Sequence, residues 1–424
     1  KRTSYYDHRF RPMLMVPNNG FDIHRKASEL AMKLSSSPDP ANFESQGDKF
    51  TKSSKFNEYH NEEFNSDGST EELLYSLQCV KINLNKRKEG IFEVFSKGYR
   101  FTYGTKHIVL KAESVLYIYW RWDLLIPNSI EIFMNDRRSY FFSFTNEKDH
   151  SFVKDKLNKI PLPNKKFVQL DEPQIELRNL QITKKWLTYQ ISTFDYIMQL
   201  NMLSGRSFLN PSCYPVFPWI LVEYSSPHLS IENKTIYRDF KTPIGAINPQ
   251  LLNQRKEKLQ NELEAIQAEY ESGSIDIDQY NEISKRSSFL YQTGFSNPFI
   301  VTYYMLRLEP FTTLHISLND GKFDNPNRLF MSVYESFMML VTTSATFREL
   351  IPEFFFQSEF LVNSDKFNFG ETIKKGIVNN VELPAWSKTP HDFIHKHLKA
   401  LESDVCSAEI SNWIDLIFGF KQTG

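Results

Sequence analysis

The chain has 424 residues, 41% of them hydrophobic and 15% aromatic, enough to fill the cores of two or three domains and to exclude a disordered polypeptide. Fifty basic residues against 51 acidic ones leave a net charge of -1, so nothing global draws the chain to nucleic acid or to an anionic membrane. Cys79, Cys213 and Cys406 lie far apart and form no CxxC pair, which argues against a disulfide framework and a zinc site and points to a reducing, cytosolic setting.

No apolar run reaches bilayer-spanning length, and KRTSYYDHRF lacks a signal-peptide core. A start without Met and an abrupt end at FKQTG read as a piece of something larger. In that setting the Asn233-Lys234-Thr235 sequon is idle.

Residues 1–70 place a few apolar anchors (FRPMLMVP) before a polar tract that cannot bury enough surface to order itself. From 71 to 160 the texture is β-rich. LLYSLQCVKI, GIFEVFS, YRFTYG, HIVLKA, SVLYIYWRW, SIEIFM and SYFFSF alternate with turn-prone pieces, the pattern of a small antiparallel barrel or sandwich. One helix, EKDHSFVKDKLNKI, follows, and seven strands closed by a helix is the layout of a pleckstrin homology (PH) domain.

A linker rich in Pro, Asn and Gln is expected at 161–182, and from 183 to 424 the pattern is mainly helical. Leu187, Ile191, Phe194 and Met198 step at helical spacing, predicting one helix through TKKWLTYQISTFDYIMQLNMLSG that ends at Gly205 in the left-handed region. LLNQRKEKLQNELEAIQAEYESGSIDIDQYNEISKRS (251–287) carries a narrow apolar stripe on a charged helix and reads as a solvent-facing helical hairpin or insertion. Thr389 at the N-cap, Pro390 and Asp392 open another helix, and Ile410, Trp413, Ile414 and Ile417 line the last.

SCYPVFPWIL (212–221) is the outlier. Its apolar residues suit a buried strand, yet Pro215 and Pro218 break a ladder twice and exclude a helix interior. A buried, extended segment is implied, with Tyr214, Phe217 and Trp219 filling volume. Its backbone groups then need partners outside any ladder. Asn201, Arg206, Arg238, Asp239, Arg307 and Glu309 are the polar candidates for linking this core or a seam between the two domains. An SH3 ligand is the competing reading of PxxP, disfavoured because aromatic residues interleave with the prolines.

Catalytic constellations are not found. His391 and His395 share a helix face next to His397, but no HExxH glutamate stands between them, and Glu402 and Asp404 complete no standard metal set. His315 in EPFTTLHISL has no nucleophile motif beside it. GRSFLNPSC and LNDGKFDNP do not match a phosphate-binding loop. No enzyme activity, cofactor or metal is therefore expected. NLNKRKEG, read as a loop between the first two strands, offers Lys86, Arg87 and Lys88, with Lys81 nearby, as candidate lipid-phosphate contacts.

From 186 onward the chain resembles the BEACH domain family, that of neurobeachin and the lysosomal trafficking regulator. WLTYQISTFDYIMQLNMLSGRSF, SCYPVFPWIL, YRDFKTPIGAINP, SNPFIVTYYMLRLEPFTTLHISLNDGKFDNPNRLF, RELIPEFFFQSEFLVN, LPAW and DVCSAEISNWIDLIFGFKQTG carry the resemblance, in family order. The β-rich region, above all SIEIFMNDRRSYFFSF, is similar to the PH-like domain that precedes BEACH, and VPNNGFDIHRKASEL to the lead-in ahead of that pair. LNPSC departs from the usual Asp-Leu-x-Gln arrangement, and 251–287 is longer than usual. The resemblance implies an α+β multidomain chain: a PH-like seven-stranded barrel with a C-terminal helix, docked on a mainly α domain with an irregular extended core. It also implies a non-enzymatic scaffold in vesicle trafficking, lysosome or membrane dynamics, binding other proteins at a PH–BEACH groove, cytoplasmic and peripheral to endomembranes, with WD repeats downstream. Phosphoinositide recruitment through the PH-like domain is the alternative.

Overall fold

The computed structural model describes residues 72–84, 86–124, 126–136, 138–144, 155, 167–168, 173–287, 297–343 and 348–421. The expected lead-in at 1–70 lies outside them, as does the helix expected at 147–160 apart from Asp155, which is helical. The described residues divide into two compact units. One holds 72–182 with Met202–Cys213; the other holds Thr183–Asn201 with 214–421.

The first unit is a curled antiparallel sheet. Its seven strands are β1 (Leu73–Asn83), β2 (Lys86–Phe95), β3 (Gly98–Tyr103), β4 (Lys106–Lys111), β5 (Val115–Asp123), β6 (Ile126–Met134) and β7 (Ser139–Phe144), in spatial order 4-3-2-1-7-6-5. β1 is the hinge of the curl, pairing with β2 along Tyr75 to Asn83 and with β7 along Cys79 to Ile82. Alternation sends Phe92, Val94, Tyr99, Phe101, Ile118, Trp120, Ile130, Ile132, Phe142 and Phe144 into one aromatic-rich core. The sheet turns so tightly there that a Cβ on Gly90 would collide with the Thr102 carbonyl of β3, so glycine is required by space.

Two features correct the expected layout. The segment taken as a linker at 161–182 contains a two-residue strand, β8 (Phe167–Val168), parallel to β5, and a helix, α1 (Pro173–Leu180). Pro173 occupies the first turn of α1, where its missing N–H costs nothing, so proline here starts a helix within the expected linker. NLNKRKEG is also largely strand, because β2 begins at Lys86 and pairs Lys86, Arg87 and Lys88 with Asn83, Ile82 and Lys81.

The second unit is helical: α2 (Ile182–Leu187), α3 (Thr193–Leu203), α4 (Pro249–Glu271), α5 (Ile277–Ser287), α6 (Pro298–Met305), α7 (Phe311–Leu318), α8 (Val333–Thr342), α9 (Pro390–Leu401) and α10 (Asp404–Ile417). Two short strands, β9 (Glu371–Thr372) and β10 (Gly376–Ile377), pair as a hairpin, and the unit boundaries fall after Ile182, the first residue of α2, and after Asn201, inside α3. Caps follow the sequence: Thr389 Oγ1 accepts from Asp392 N at 3.1 Å, and Ser403 Oγ from Cys406 N at 3.1 Å. α4 and α5 meet through Tyr270 and Tyr280, ring centroids 4.9 Å apart, and of α4 only Leu251 is buried.

The single helix expected across 183–205 is two. Thr188 Oγ1 donates to the Lys184 carbonyl at 2.8 Å and Tyr189 takes φ 62°, which ends α2. α3 then starts afresh, because the Glu402 carboxylate accepts from Thr193 N and Phe194 N, both at 2.8 Å. Leu187, placed by periodicity on the buried stripe, is exposed as a result. Gly205, at φ 85°, closes the turn after α3.

Candidate functional site

The structure gives SCYPVFPWIL backbone partners at Val216, Phe217, Trp219 and Ile220. Pro215 and Pro218 bring no N–H, so Val216, Phe217, Trp219 and the residues after them carry the donors. Asn201, on α3, meets Val216 from both sides: its Oδ1 accepts from Val216 N at 2.8 Å and its Nδ2 donates to Val216 O at 2.9 Å. One amide side chain thus does the work of a neighbouring strand. Phe217 exchanges both backbone bonds with Leu350, each at 2.8 Å. Trp219 N donates to Glu349 Oε2 at 2.9 Å, Arg238 N to the Ile220 carbonyl at 3.1 Å, and Val222 N to the Ile236 carbonyl at 2.8 Å.

Glu349 is the centre of this network. Its carboxylate takes Trp219 N, the Arg238 guanidinium at 2.8 Å and Trp413 Nε1 of α10 at 3.1 Å, tying three distant segments together. Arg238 and Glu349 are both essentially inaccessible, so each charge depends on the other. Arg238 also donates to the Thr242 carbonyl at 2.9 Å. Tyr214 donates to Glu353 Oε1 at 2.6 Å, and burial lifts the Glu353 carboxyl to about 7. The aromatics fill the remaining volume: Trp219 meets Tyr224 and Phe337 at 5.5 Å, and Phe217 lies between Phe194 and Phe355 at 5.0 and 5.1 Å.

The other candidates fall elsewhere. Asp239 and Glu309 are exposed and do not link the core: Asp239 closes a local turn on Thr242 Oγ1 and Lys241 N, and Glu309 accepts from Thr313 at the start of α7. Short carboxylates with a hydroxyl three or four residues on find that partner before a distant one. Arg206 is half-buried in the Met202–Cys213 segment of the β-rich unit. Arg307 is fully buried, its Nε donating to the Asn379 carbonyl at 2.8 Å.

Of the three histidines in PHDFIHKHLK, His397 is the one the core encloses. It is fully buried between the rings of Phe355 and Phe393 at 4.6 and 5.2 Å, with Nδ1 3.1 Å from the Phe354 carbonyl. Burial holds its pKa down at about 4, so the ring is neutral. His391 and His395 are exposed, His391 Nδ1 meeting Ser358 Oγ at 2.8 Å. His315 is buried, its Nε2 accepting from Asp324 N at 3.4 Å. Glu402 holds the N-terminus of α3, and burial raises its carboxyl to about 7. No grouping of metal-ligating side chains occurs among the described residues.

In the β-rich unit the lipid candidates are engaged by the sheet. Arg87 makes a two-pronged pair with Asp123 of β5, at 3.0 and 2.6 Å, while Lys88 lies over the Tyr103 ring at 4.4 Å and Lys81 over Tyr140 at 5.3 Å. Lys86 is exposed. The reason they form no loop basket is register: the turn is shorter than the polar run that suggested it. This unit also has a buried pair that sequence reading missed, Arg121 Nε to Glu131 Oε2 at 2.7 Å, with Arg121 Nη1 donating to the Met202 carbonyl at 2.9 Å. A signal existed: one Arg and one Glu in neighbouring, otherwise apolar strands. The acids of RELIPEFFF carry the same signal for Glu349 and Glu353.

A family model described as Beige/BEACH domain matches residues 184–424, more than half of the chain. The chain belongs to the BEACH family. A second model, PH domain associated with Beige/BEACH, matches residues 79–158, so the curled sheet is the PH-like part. Among relatives, the BEACH domain-containing protein lvsE of Dictyostelium discoideum is 38% identical over 71% of this chain. A putative neurobeachin homolog of Caenorhabditis briggsae is 35% identical over 75%. The match takes in only 13% and 12% of those two proteins. A solved C-terminal domain of an unknown protein from Leishmania infantum overlays with TM-score 0.19 at 18% identity, covering 21% of this chain and 86% of that one, too slight a likeness to bear on the fold. The BEACH span thus holds the Asn201, Glu349 and Arg238 network, and no helix among its described residues is long and apolar enough to cross a membrane.

Proposed function

We propose that this PH-like and BEACH pair is a non-catalytic scaffold, a protein-interaction module of a larger BEACH protein acting in vesicle trafficking and in lysosome or membrane dynamics, at the cytoplasmic face of endomembranes. One observation carries the reading. The strongest polar constellation, Glu349 with Arg238, Trp219 and Trp413, is consumed in holding an extended core, and His397 is sealed between phenylalanines. Groups spent on backbone and on each other are positioned for architecture, and catalysis needs groups that reach a substrate.

Partners are other proteins, bound at a groove that both parts contribute to. The occurrence of both matched parts, 79–158 and 184–424, in one chain supports this. Cross-linking mass spectrometry on the intact chain in cells tests the proposal. The expected result is cross-links from lysines in both 79–158 and 184–424 to the same trafficking proteins. Cross-links confined to one part, or to metabolic enzymes, contradict it.

A further inference from the structure

Among the described residues three arginines are buried, and they are not treated alike. Arg121 faces Glu131 at 2.7 Å and Arg238 faces Glu349 at 2.8 Å, so each cation sits against a buried anion. Arg307, in the turn between α6 and α7, has no such acid among the described residues. It is 0% exposed, its Nε donates to the Asn379 carbonyl, and its guanidinium carbon lies 5.2 Å from the centre of the Phe369 ring. Both Nη1 and Nη2 are buried without a hydrogen-bond partner among the described residues.

An ionised group taken out of water without a counter-charge costs several kcal/mol, far more than one carbonyl and one ring face return. The surroundings are firmly held: Asn363 Nδ2 donates to Asn379 Oδ1 at 3.0 Å and to the Phe367 carbonyl at 2.9 Å, while Phe369 packs on Phe323 at 5.0 Å. The group is therefore fixed where it is. Burial lowers its pKa to about 10, still protonated at neutral pH, and the neighbour opposing that shift is the Tyr303 phenol and not a carboxylate.

We propose that Nη1 and Nη2 of Arg307 hold a small inorganic monoanion of the halide class, which supplies the counter-charge that Glu131 and Glu349 give the other two arginines. The two Nη groups present parallel N–H donors to one point in the guanidinium plane. Full burial excludes a peptide carboxylate, whose chain would need a way out. A phosphate dianion would carry an excess charge that one guanidinium does not balance.

The test uses the intact chain. Crystals grown in sodium bromide are expected to show a bromide anomalous peak within hydrogen-bonding reach of both Nη atoms. Thermal melts in chloride or bromide are expected to rise by roughly 3 °C per tenfold halide over sodium gluconate at equal ionic strength. Arg307→Met, where it folds, loses that dependence. No anomalous peak at these atoms, or identical wild-type melts in halide and gluconate, overturns the proposal, and both readings come from the unaltered chain.

Discussion

The two units solve one problem in opposite ways. Both bury long apolar stretches whose backbone groups need partners. The PH-like sheet satisfies them with a ladder, in which neighbouring bonds support each other and any one is dispensable. The BEACH core satisfies them one at a time, with Asn201 for Val216, Leu350 for Phe217 and Glu349 for Trp219. The lesson is that a ladder spreads its risk along the strand, whereas a side-chain network concentrates it in a few residues.

The sharpest way to break that contrast is Glu349→Ala. It strands the Arg238 charge, Trp219 N and Trp413 Nε1 in the core, and about 4 kcal/mol or more should be lost on chemical denaturation, with the helical unit unfolding first. Asn201→Ala orphans both Val216 groups and should cost about 2–4 kcal/mol by the same measurement. On the ladder side, Gly90→Ala drives a methyl against the Thr102 carbonyl and should cost about 1–3 kcal/mol, an effect of space and not of lost bonds. Arg87→Ala, whose side chain is 47% exposed but whose partner Asp123 is buried, should cost about 1–2 kcal/mol by leaving that carboxylate without its two bonds.

The two units should also differ with pH. Burial holds Glu353 and Glu402 at about 7 in the folded state against 4.5 unfolded, so the stability linked to their protonation is complete below 4.5 and is lost as pH rises through 7. His397 runs the other way: held at about 4 against 6.5, its neutral ring contributes fully above 6.5 and loses that contribution as pH falls towards 4. Between about 4.5 and 6.5 the two carboxyl losses outweigh the one histidine gain, so denaturation midpoints of the helical unit should be highest near pH 4.5 and decline towards 7, with Glu353→Gln flattening that decline.

How much of this was legible beforehand follows the same division. Alternation and turn residues located all seven strands, because a ladder writes its period into the sequence. Proline at two positions of SCYPVFPWIL showed that this stretch has no such period, and so which residues would serve it could not be read from spacing. Asn201 and Arg238 were among the polar candidates near the segment; Asp239 and Glu309 were too, yet they turn to hydroxyls beside them. Glu349 lies 130 residues from Trp219, and only folding brings them together. The break between α2 and α3 was hidden for the same reason, since the carboxylate that restarts the helix comes from Glu402.

Amide hydrogen exchange resolved at Val216, Phe217 and Trp219 tests the side-chain-satisfied core most directly. Protection matching that of ladder amides in β1 and β6, with Val216 alone losing it on Asn201→Ala, is the predicted result. Exchange at these three amides as fast as in exposed turns of the intact chain would contradict it.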